Sequence, residues 1–581
     1  MERVRRSGDE DDLAAILPSL KNTGPEGVKV QVKETGGLHK ATSYFIIDAE
    51  SGKAVERLST SGKRVLRDGS RVDVEASSGG KAIVSGKGTL TDRDLVQGVK
   101  SGRFIVRTQE EILSSLDKSS AGIGITGGGD CAGIADFLAS FQKNLKPELT
   151  MLGVKNAGSG LMSAPGKFQE KLIIVEGLAA SDFEGQASTP YGSAREDPFP
   201  KKFDKDPAKR AKQEENQRNA TENIRPYMYL YGSGGNDNMF LLEKAAGLFP
   251  DKIVVGTFKS IDGDGWVAGK PAQMLGFHTA VRDYQNAIWA AATNAYTHNQ
   301  WHVVETFGRG AGKLAYEAAR RYPTNIGELG DEGRRKVDEY GRAVMILVPE
   351  KPTTLRSIAH EAKSVKEREG NVVVVVAEGF MPPELKYEMD RLAKDEVLKA
   401  KWLSRELKVE DVPGLIVAND ENDPRGDLKR ILADRELAAQ FGKTVWESKL
   451  DSFGNVEKLA GISKFIMQAL EKLAGAKKVN QLLENYEARG ATPTEYDRLM
   501  GIKVGRKMAE LVNDGVKGGK AVVYFEGMDA RREEPVIVDL VGVSDKNNLN
   551  NKELYPTEML QENGVYWKTE DLSRYLRAKA T

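Results

Sequence analysis

The chain has 581 residues, which is too long for one compact core and predicts two or three domains. Its 85 basic and 85 acidic side chains balance, so no global field directs it to nucleic acid or to a membrane surface. The single cysteine, Cys131, excludes an intramolecular disulfide. Since no run of about 18 apolar residues occurs either, we expect a cytoplasmic protein without a nucleic-acid or membrane partner.

The first part of the chain has the pattern of a small β-rich domain. Short alternating runs at 29–32 (KVQV) and 71–74 (RVDV) are separated by Ser-Gly and Asp-Gly turns. Alternation with a period of two is typical of strands that have one face buried. We therefore predict a β-rich N-terminal extension over residues 1–112.

From residue 123 onward, continuous apolar runs alternate with helical stretches. Such runs occur at 173–175, 227–231, 253–255, 303–304, 344–348 and 372–376. Strands of a parallel sheet have this pattern, because helices cover both faces of the sheet. The sequence therefore predicts an α/β fold, in which two parallel sheets are each covered by helices on both sides.

Charged sequence interrupts this pattern twice. Residues 384–392 (ELKYEMDRL) are typical of a polar helix, and apolar runs return at 522–525 and 536–538. We therefore predict a helical insertion over 382–478. The segment 195–218 is rich in Lys and Glu, and we interpret it as a solvated loop.

Two carboxylates, Asp262 and Asp264, come shortly after the apolar run 253–256. The carboxyl end of a buried strand faces a ligand crevice, where one carboxylate can accept a proton and another can hold a metal. Glycine-rich turns at 127–130 (GGGD) and 234–237 (GGND) each follow an apolar run of their own. Their backbone N–H groups can approach phosphates closely. Each motif alone is usually only a turn, but their ordered recurrence indicates a site for phosphate chemistry.

In this order the motifs resemble those of the phosphofructokinase family, and in particular its long, pyrophosphate-dependent type. The resemblance covers roughly 120–380 and 480–545. Its motifs are a first phosphate loop at 126–133, an arginine loop at 192–195, the GGND turn, a catalytic turn at 259–264, a sugar-phosphate turn at 308–309, a sugar-hydroxyl contact at 377–379 and a phosphate clamp at 486–489. It implies an α/β fold with two doubly wound phosphofructokinase-like domains, a β-rich N-terminal extension and a helical insertion.

The resemblance also implies domain boundaries. The implied domains are the extension at 1–112, a phosphoryl-donor-binding domain at 113–272 to which a C-terminal segment returns, a sugar-phosphate-binding domain at 273–381 and 479–545, the insertion at 382–478 and a tail at 546–581. Family members complete the sugar-phosphate site with a neighbouring chain, so a homodimer or homotetramer is implied.

The implied reaction moves a phosphoryl group from pyrophosphate to the 1-hydroxyl of fructose 6-phosphate, reversibly and with Mg²⁺ as cofactor. Asp262 is then the base, with Lys259 and Arg309 as the other catalytic residues. The donor-binding residues are Gly128, Gly129, Asp130, Arg195, Gly235 and Asp237. The sugar-phosphate-binding residues are Ser260, Ile261, Asn299, Gln300, Phe307, Gly308, Arg309, Glu378, Tyr486 and Arg489. The residues at the metal are Asn236 and Asp264.

Asp237 and Lys259 match the pyrophosphate pattern of the family, in which the carboxylate fills nucleotide space and the lysine adds charge for a small donor. The chain departs from the family at Asn236, which stands where a metal-associated aspartate is usual, and at Phe307, which stands where a methionine is usual. Residues 297–300 (THNQ) lack the lysine or arginine that reaches the sugar phosphate across a subunit boundary.

Three alternatives stay open. An ATP-dependent 6-phosphofructokinase has the same overall motifs, and the departures also fit a catalytically weakened or regulatory subunit. Gly127, Gly129 and Ala132 formally fit a dinucleotide-binding fingerprint. A dinucleotide-binding fold also requires an acidic residue about 20 positions after these glycines, and the sequence offers no clear candidate for it.

Overall fold

The structure is a computed structural model. It describes residues 29–31, 43–48, 54–59, 64–65, 71–76, 81–86, 104–175, 191–193, 196–200, 203–320, 343–447, 461–483 and 487–543. The predicted tail at 546–581, Arg195 and Tyr486 therefore lie outside the described residues.

The strands follow the predicted apolar runs closely. In chain order they are β1 (Lys29–Gln31), β2 (Ser43–Asp48), β3 (Ala54–Ser59), β4 (Arg64–Val65), β5 (Arg71–Ala76), β6 (Lys81–Gly86), β7 (Phe104–Thr108), β8 (Ala121–Thr126), β9 (Thr150–Val154), β10 (Leu172–Ile174), β11 (Tyr229–Gly234), β12 (Ile253–Phe258), β13 (Gly265–Val267), β14 (Lys270–Ala272), β15 (Trp301–Thr306), β16 (Val344–Leu347), β17 (Val372–Ala377), β18 (Val479–Leu483), β19 (Gly518–Val523) and β20 (Val536–Asp539).

The helices lie mostly between these strands. In chain order they are α1 (Gln109–Ser115), α2 (Ile134–Asn144), α3 (Ala157–Leu161), α4 (Pro165–Phe168), α5 (Pro207–Ile224), α6 (Asn236–Leu248), α7 (Phe277–His298), α8 (Lys313–Arg320), α9 (Leu355–Glu369), α10 (Pro383–Ala393), α11 (Glu396–Leu403), α12 (Pro424–Ile431), α13 (Arg435–Glu447), α14 (Ile462–Lys472), α15 (Glu487–Gly490) and α16 (Glu495–Asn513). Within the described ranges, no helix combines the length and the apolar character needed to span a bilayer.

The N-terminal strands pair antiparallel in two small sheets. One sheet has the order β1-β6-β5-β4, and the other has the order β3-β2-β7. The pairs β2–β3, β4–β5 and β5–β6 join strands that are consecutive in the sequence, whereas β1–β6 and β2–β7 join distant ones. The β-rich character of the N-terminal extension is therefore confirmed.

A large mixed sheet, called the first sheet below, has the order β10-β9-β8-β11-β12-β19-β20. Its inner strands are parallel, whereas β10 and β20 pair antiparallel at the two edges. The expectation that the run 173–175 lies in a parallel arrangement is therefore wrong, because an apolar run does not encode the direction of an edge strand. Gly122 lies beside Tyr229 in the register, and a Cβ at Gly122 would clash with the tyrosine ring. Glycine at this position makes room for an aromatic ring on the neighbouring strand.

The second sheet is parallel and has the order β16-β17-β15-β18. β18 is the only strand described within 479–545 that pairs here, whereas β19 and β20 belong to the first sheet. Helix α16 packs along α2, again beside the first sheet. The pairing of β19 and β20 differs from the predicted allocation of 479–545 to the sugar-phosphate domain, but it agrees with the predicted return of a C-terminal segment to the donor-binding domain. β19 satisfies the backbone groups along the open edge of β12.

Continuous apolar packing joins the two sheets. One cluster of buried side chains runs from Ile123 and Val254 in the first sheet to Val304 and Val375 in the second. The other face of the second sheet packs against helices of the predicted insertion, which extends from α10 to α14. The insertion is therefore helical as predicted, and it serves as a covering layer of the second sheet. Helices on both faces of parallel strands confirm the α/β fold class.

The charged segment after residue 206 is helical and not a solvated loop. Asp206 caps α5 by accepting hydrogen bonds from the N–H groups of Ala208 and Lys209 at 2.9 and 3.0 Å. The Nδ2 atom of Asn223 donates to the carbonyls of Leu161 and Ser163 at 2.9 and 2.8 Å. A good cap and a few polar contacts at one end hold this helix, although most of its surface is exposed.

A buried carboxylate, Asp497, ties α16 to the start of α7. Its oxygens accept hydrogen bonds from Gly276 N at 3.1 Å, Thr279 N at 2.7 Å and Thr279 Oγ1 at 2.6 Å. Burial raises the pKa of Asp497 from 3.8 to about 6, and the hydrogen bonds act in the opposite direction. The contact fixes the first turn of α7, which includes Phe277, next to the catalytic turn.

Candidate active site

A cavity of about 340 Å³ lies where strands of both sheets end. It opens beyond the carboxyl ends of β8, β11 and β12 and faces the turn that follows β15. The predicted site residues that line it are Gly128, Gly129, Gly235, Asn236, Asp237, Lys259, Ser260, Asp262, Asp264, Arg309 and Arg489. The structure therefore brings together residues that lie up to 361 positions apart in the sequence.

The first glycine turn, 127–129, is held by neighbouring backbone. Gly127 N donates to Ser233 O at 3.0 Å, and a Cβ at Gly127 would lie 2.6 Å from Asn238 Oδ1. Gly128 has φ +80°, a conformation that side chains disfavour, and its carbonyl accepts a hydrogen bond from Ser193 Oγ. These constraints keep the turn narrow and leave its backbone facing the cavity.

The second glycine turn leads into α6. Gly235 is the N-cap residue, so Asn236 and Asp237 occupy the first helical turn. The N–H groups of a first helical turn have no intrahelical partner and are suited to an anion. Asp237 lines the cavity from this first turn.

Asn236 contacts Asp264 across the cavity floor. Its Nδ2 donates to Asp264 O at 3.1 Å and to Asp264 Oδ2 at 3.3 Å. Both partners are acceptors, which fixes the orientation of the amide. Its other atom, Oδ1, is buried and has no hydrogen-bond partner among the described residues. An unsatisfied buried oxygen costs about 1–3 kcal/mol, and it is suited to a ligand that brings a donor or a cation.

The chemistry of two cavity residues fits the Mg²⁺ ion that the family resemblance implies. Asn236 Oδ1 and Asp264 would supply oxygen ligands of the kind that Mg²⁺ prefers. Within the described ranges, no group of three or more His, Cys, Asp or Glu side chains is placed to hold a metal. Since Mg²⁺ commonly binds one or two carboxylates together with substrate phosphates and water, two protein residues are sufficient here.

The catalytic turn, 259–264, is shaped by a glycine between its two aspartates. Gly263 has φ +71°, and Asp262 N donates to Ser260 Oγ at 3.1 Å. This geometry places Asp262 and Asp264 on the cavity wall. The side chain of Ile261 is fully buried in the core, so only its backbone is available to a ligand.

Lys259 is a buried lysine, with 1% of its surface exposed. Its ammonium group donates a hydrogen bond to Gly129 O in the first glycine turn. Burial lowers the pKa of Lys259, while the neighbouring carboxylate of Asp130 favours the charged form. Burial also raises the pKa of the Cys131 thiol to about 11. Lys259 is therefore not a solvent-exposed lysine, and its ammonium group lies against the first glycine turn.

Arg489 belongs to α15, lines the cavity and lies beside the first glycine turn. A Cβ at Gly129 would lie 2.5 Å from Arg489 Nη1, so a side chain at this position would displace the guanidinium. The guanidinium carbon lies 4.2 Å from the ring centroid of Phe307, which is within the range of a cation–π contact. Arg489, predicted for the sugar phosphate, therefore also lies against the first glycine turn, which is predicted for the donor.

The two turns that are predicted to bind the sugar phosphate follow adjacent strands. Thr306 and Ala377 are register partners in β15 and β17, so the turns after them lie side by side. Arg309 Nε and Glu378 Oε1 are 3.7 Å apart, and Arg309 is about half exposed. Gly308 has φ +127°. Side by side, these turns place a cation and a carboxylate at the same edge of the sheet.

Asn299 and Gln300, both predicted to bind the sugar phosphate, lie at the far end of β15 from this cavity. Asn299 and Gln300 precede β15, whereas Gly308 follows it, and six residues of strand span about 20 Å. The carbonyl of Asn299 accepts a hydrogen bond from Lys366 Nζ at 2.8 Å. Lys366 thus brings a cation to this edge from α9, although the sequence at 297–300 has none. Asp130, predicted to bind the donor, is exposed and is not part of the cavity lining.

Gly127 of the predicted phosphate turn also lines the cavity. Sequence reasoning missed five further lining residues: Glu196, Asp197, Asn238, Leu241 and Gly310. Two of them, Glu196 and Asp197, form an acidic rim. Ser159 Oγ donates to Glu196 Oε2, and Phe199 N donates to Asp197 Oδ1 at 2.8 Å. The position of these two acids directly after the 192–195 turn was the signal that could have identified them.

Comparison with known proteins gives relatives of one family. A pyrophosphate–fructose 6-phosphate 1-phosphotransferase from Dictyoglomus thermophilum is 24% identical over 436 residues, which cover 74% of this chain and 96% of the relative. An ATP-dependent 6-phosphofructokinase from Spirochaeta thermophila is 29% identical over 275 residues, which cover 45% of this chain and 64% of the relative.

Among solved structures, a pyrophosphate-dependent phosphofructokinase from Nitrosospira multiformis aligns with a TM-score of 0.48 at 16% identity, covering 79% of this chain and 91% of that chain. The model of the Phosphofructokinase family matches residues 122–512. That match spans both glycine turns, the catalytic turn and Arg489, which are the parts that form the cavity. The chain belongs to the phosphofructokinase family.

Proposed function

We propose that the chain transfers a phosphoryl group from pyrophosphate to the 1-hydroxyl of fructose 6-phosphate. Family membership makes it a phosphotransferase, and the donor and acceptor are the proposed part. The observation that carries the proposal is that a buried cation, Lys259, and a carboxylate, Asp237, both line one cavity. The cavity volume of about 340 Å³ lies in the range of small-molecule sites.

The charges of the cavity suit a short polyanion. Lys259, Arg489 and the N–H groups of the glycine turns offer positive charge and donors at the inner end. Asp237, Glu196 and Asp197 are carboxylates of the same cavity. A nucleoside triphosphate that extends past these acids would meet like charge, whereas pyrophosphate is short enough to avoid it.

The reaction needs a base, and Asp262 is the residue we assign. The 1-oxygen of the sugar attacks the nearer phosphorus, the new O–P bond forms, and the bridging O–P bond of pyrophosphate breaks to release inorganic phosphate. The hydroxyl proton passes to the carboxylate of Asp262. Arg309 and Arg489 stand where they would balance charge on the transferred group.

Mg²⁺ would be held through Asn236 Oδ1 and Asp264 together with substrate oxygens. When bound, it neutralises phosphate charge as a Lewis acid. The chain's own residues do the remaining work, since they orient the donor and accept the proton. Cytoplasmic location and assembly into a homodimer or homotetramer are part of this proposal and stay predictions.

One observation favours ATP as an alternative donor. A second cavity of about 480 Å³ lies beyond the acidic rim and is lined by Ser159, Met162, Glu196, Asp197, Lys212 and Asn216. It is large enough to accept part of a nucleotide. The relatives also include enzymes named for each donor. An ATP-dependent 6-phosphofructokinase is therefore the second candidate.

Replacing the proposed base tests the assignment. We expect Asp262→Asn to lower pyrophosphate-dependent turnover about 10²-fold to 10⁴-fold, because the variant cannot accept the hydroxyl proton. Asp251→Asn is the matched control, since Asp251 is exposed and lies before β12. Turnover of fructose 6-phosphate and the melting temperature are measured for both variants. An Asp262→Asn enzyme within about threefold of wild type would remove Asp262 from the role of base.

A further inference from the structure

An ion pair between Lys313 and Glu526 crosses from one half of the molecule to the other. Lys313 is the first residue of α8 and comes four residues after Arg309 in the sequence. Helix α8 packs on the second sheet. Glu526 follows β19 of the first sheet. The Lys313 ammonium group contacts Glu526 Oε1, and the side chain of Lys313 is only 7% exposed. The pair thus connects the sugar side of the cleft with the sheet that carries the catalytic turn.

Lys313 also supports the catalytic turn from behind. A Cβ at Gly263, between Asp262 and Asp264, would lie 2.9 Å from Lys313 Cδ and 2.6 Å from Phe277 Cε2. The Lys313 ammonium group is 5.1 Å from the centroid of the Phe277 ring. The lysine stem and the phenylalanine ring therefore form the surface against which this turn rests.

Glu526 is fixed to the hairpin that continues the turn. Its N–H donates to Pro271 O at 3.1 Å, and Pro271 lies in β14. Gln273 Nε2 donates to Phe525 O at 3.0 Å and to Met528 O at 2.7 Å, which holds the loop around Glu526. Because β13 begins at Gly265, directly after Asp264, this carboxylate is tied to the same hairpin that the turn enters.

If Lys313 only packed against its neighbours, its positive charge would make it less favourable than an uncharged side chain. A cation in the first turn of a helix faces the positive end of the helix dipole, and a nearly buried ammonium needs a partner. Glu350 already accepts hydrogen bonds from Gly312 N at 2.8 and 3.0 Å at this helix end. An uncharged side chain of similar length would pack against Phe277 without these costs.

We propose that the Lys313–Glu526 ion pair positions the catalytic turn, by holding it at a fixed distance from Arg309 on the opposite side of the cavity. It rests on the proposed function only in taking Asp262 as the base. Neither residue lines the cavity, so the pair acts through the turn and not by touching substrate. Loss of the pair should therefore lower kcat and leave KM nearly unchanged, because it displaces groups that act in the transition state.

The test compares Lys313→Met, Glu526→Gln and the double variant with wild type. We expect each single variant to lower kcat about tenfold to a hundredfold, with the KM for both substrates within about threefold. The double variant should lose no more than the worse single variant, because the two residues act as one unit. Amide hydrogen exchange of residues 262–267 should rise about tenfold in all three variants.

Lys270→Met is the matched control. Lys270 is exposed and lies 5.5 Å from the Phe525 ring, beside Glu526 but not across the cleft. We expect it to change neither kcat nor exchange. Unchanged exchange at 262–267 in Lys313→Met, or fully additive losses in the double variant, would overturn the inference. If exchange rises while Asp262→Asn keeps its turnover, the positioning role stands and only the proposed base is wrong.

Discussion

Replacing Asn236 by aspartate would turn a hydrogen-bonded contact into two facing carboxylates. Asn236 Nδ2 lies 3.3 Å from Asp264 Oδ2, and that donor disappears in Asn236→Asp. Two unit charges about 4 Å apart repel by about 4 kcal/mol at an effective dielectric constant of about 20. Both residues are only partly buried, so solvent and proton uptake reduce the cost to about 2–3 kcal/mol. Without a cation the variant should therefore be less stable than wild type.

A divalent cation should reverse this effect, because Mg²⁺ prefers a carboxylate to a neutral amide oxygen. The assay is thermal unfolding in a chelator, and again in Mg²⁺ with pyrophosphate but without sugar. We expect the melting temperature of Asn236→Asp to lie about 2–4 °C below wild type in the chelator. With Mg²⁺ the gap should close or change sign, and half-maximal activity should need less Mg²⁺ than in wild type.

Asn216→Asp is the control, since it adds the same charge on α5, where Asn216 lines the second cavity instead. Its melting temperature should respond to Mg²⁺ as wild type does. If the melting temperature of Asn236→Asp lies equally far below wild type in the chelator and in Mg²⁺, residue 236 is not near the metal. Asp264, Asp237 or the pyrophosphate itself would then carry the ion.

Four further variants test the donor site and the pH dependence. Asp237→Gly should admit ATP by removing a carboxylate from the cavity, and an unchanged preference in competition assays would contradict this. Lys259→Ala should raise the KM for pyrophosphate more than that for fructose 6-phosphate, and an unchanged KM would remove the lysine from donor binding. Gly129→Ala should lower turnover at least about tenfold, because the new methyl group displaces Arg489; wild-type kinetics would show that this contact is not needed. The raised pKa of Asp497 means that the folded state binds a proton at this carboxyl more tightly than the unfolded state does. The stability that this proton contributes is complete below about pH 3.8 and is lost as pH rises through about 6. The melting temperature of wild type relative to Asp497→Asn should therefore fall between pH 4 and pH 7, by an amount that corresponds to about 3 kcal/mol, and a rise would contradict the assignment.

The sequence predicts the parts of this fold that depend on periodicity and strand ends. Apolar runs identify the buried strands, and the glycine turns that follow β8 and β11 mark the cavity, because the carboxyl ends of parallel strands share one edge. Strand direction at an edge is not encoded in such a run, which is why the antiparallel β10 was not predicted. The helix α5 was missed because its exposed face has no apolar stripe to give a period.

The candidate site shows a similar division. Residues of the linear motifs, such as Lys259 and Asp262, were predicted and do line the cavity. Contributions from distant elements were not, because they depend on tertiary packing. Lys366 supplies a cation beside Asn299 from a helix 67 residues later, and Glu196 joins the cavity through a loop. The roles of all these residues in catalysis stay predictions.

The donor preference tests the central claim most directly. Purified protein is supplied with fructose 6-phosphate and Mg²⁺, and formation of fructose 1,6-bisphosphate is measured with pyrophosphate and with ATP in parallel. We expect kcat/KM to be at least about a hundredfold higher with pyrophosphate, because the acidic rim disfavours the longer donor. A preference for ATP, or no turnover with either donor, would contradict the claim.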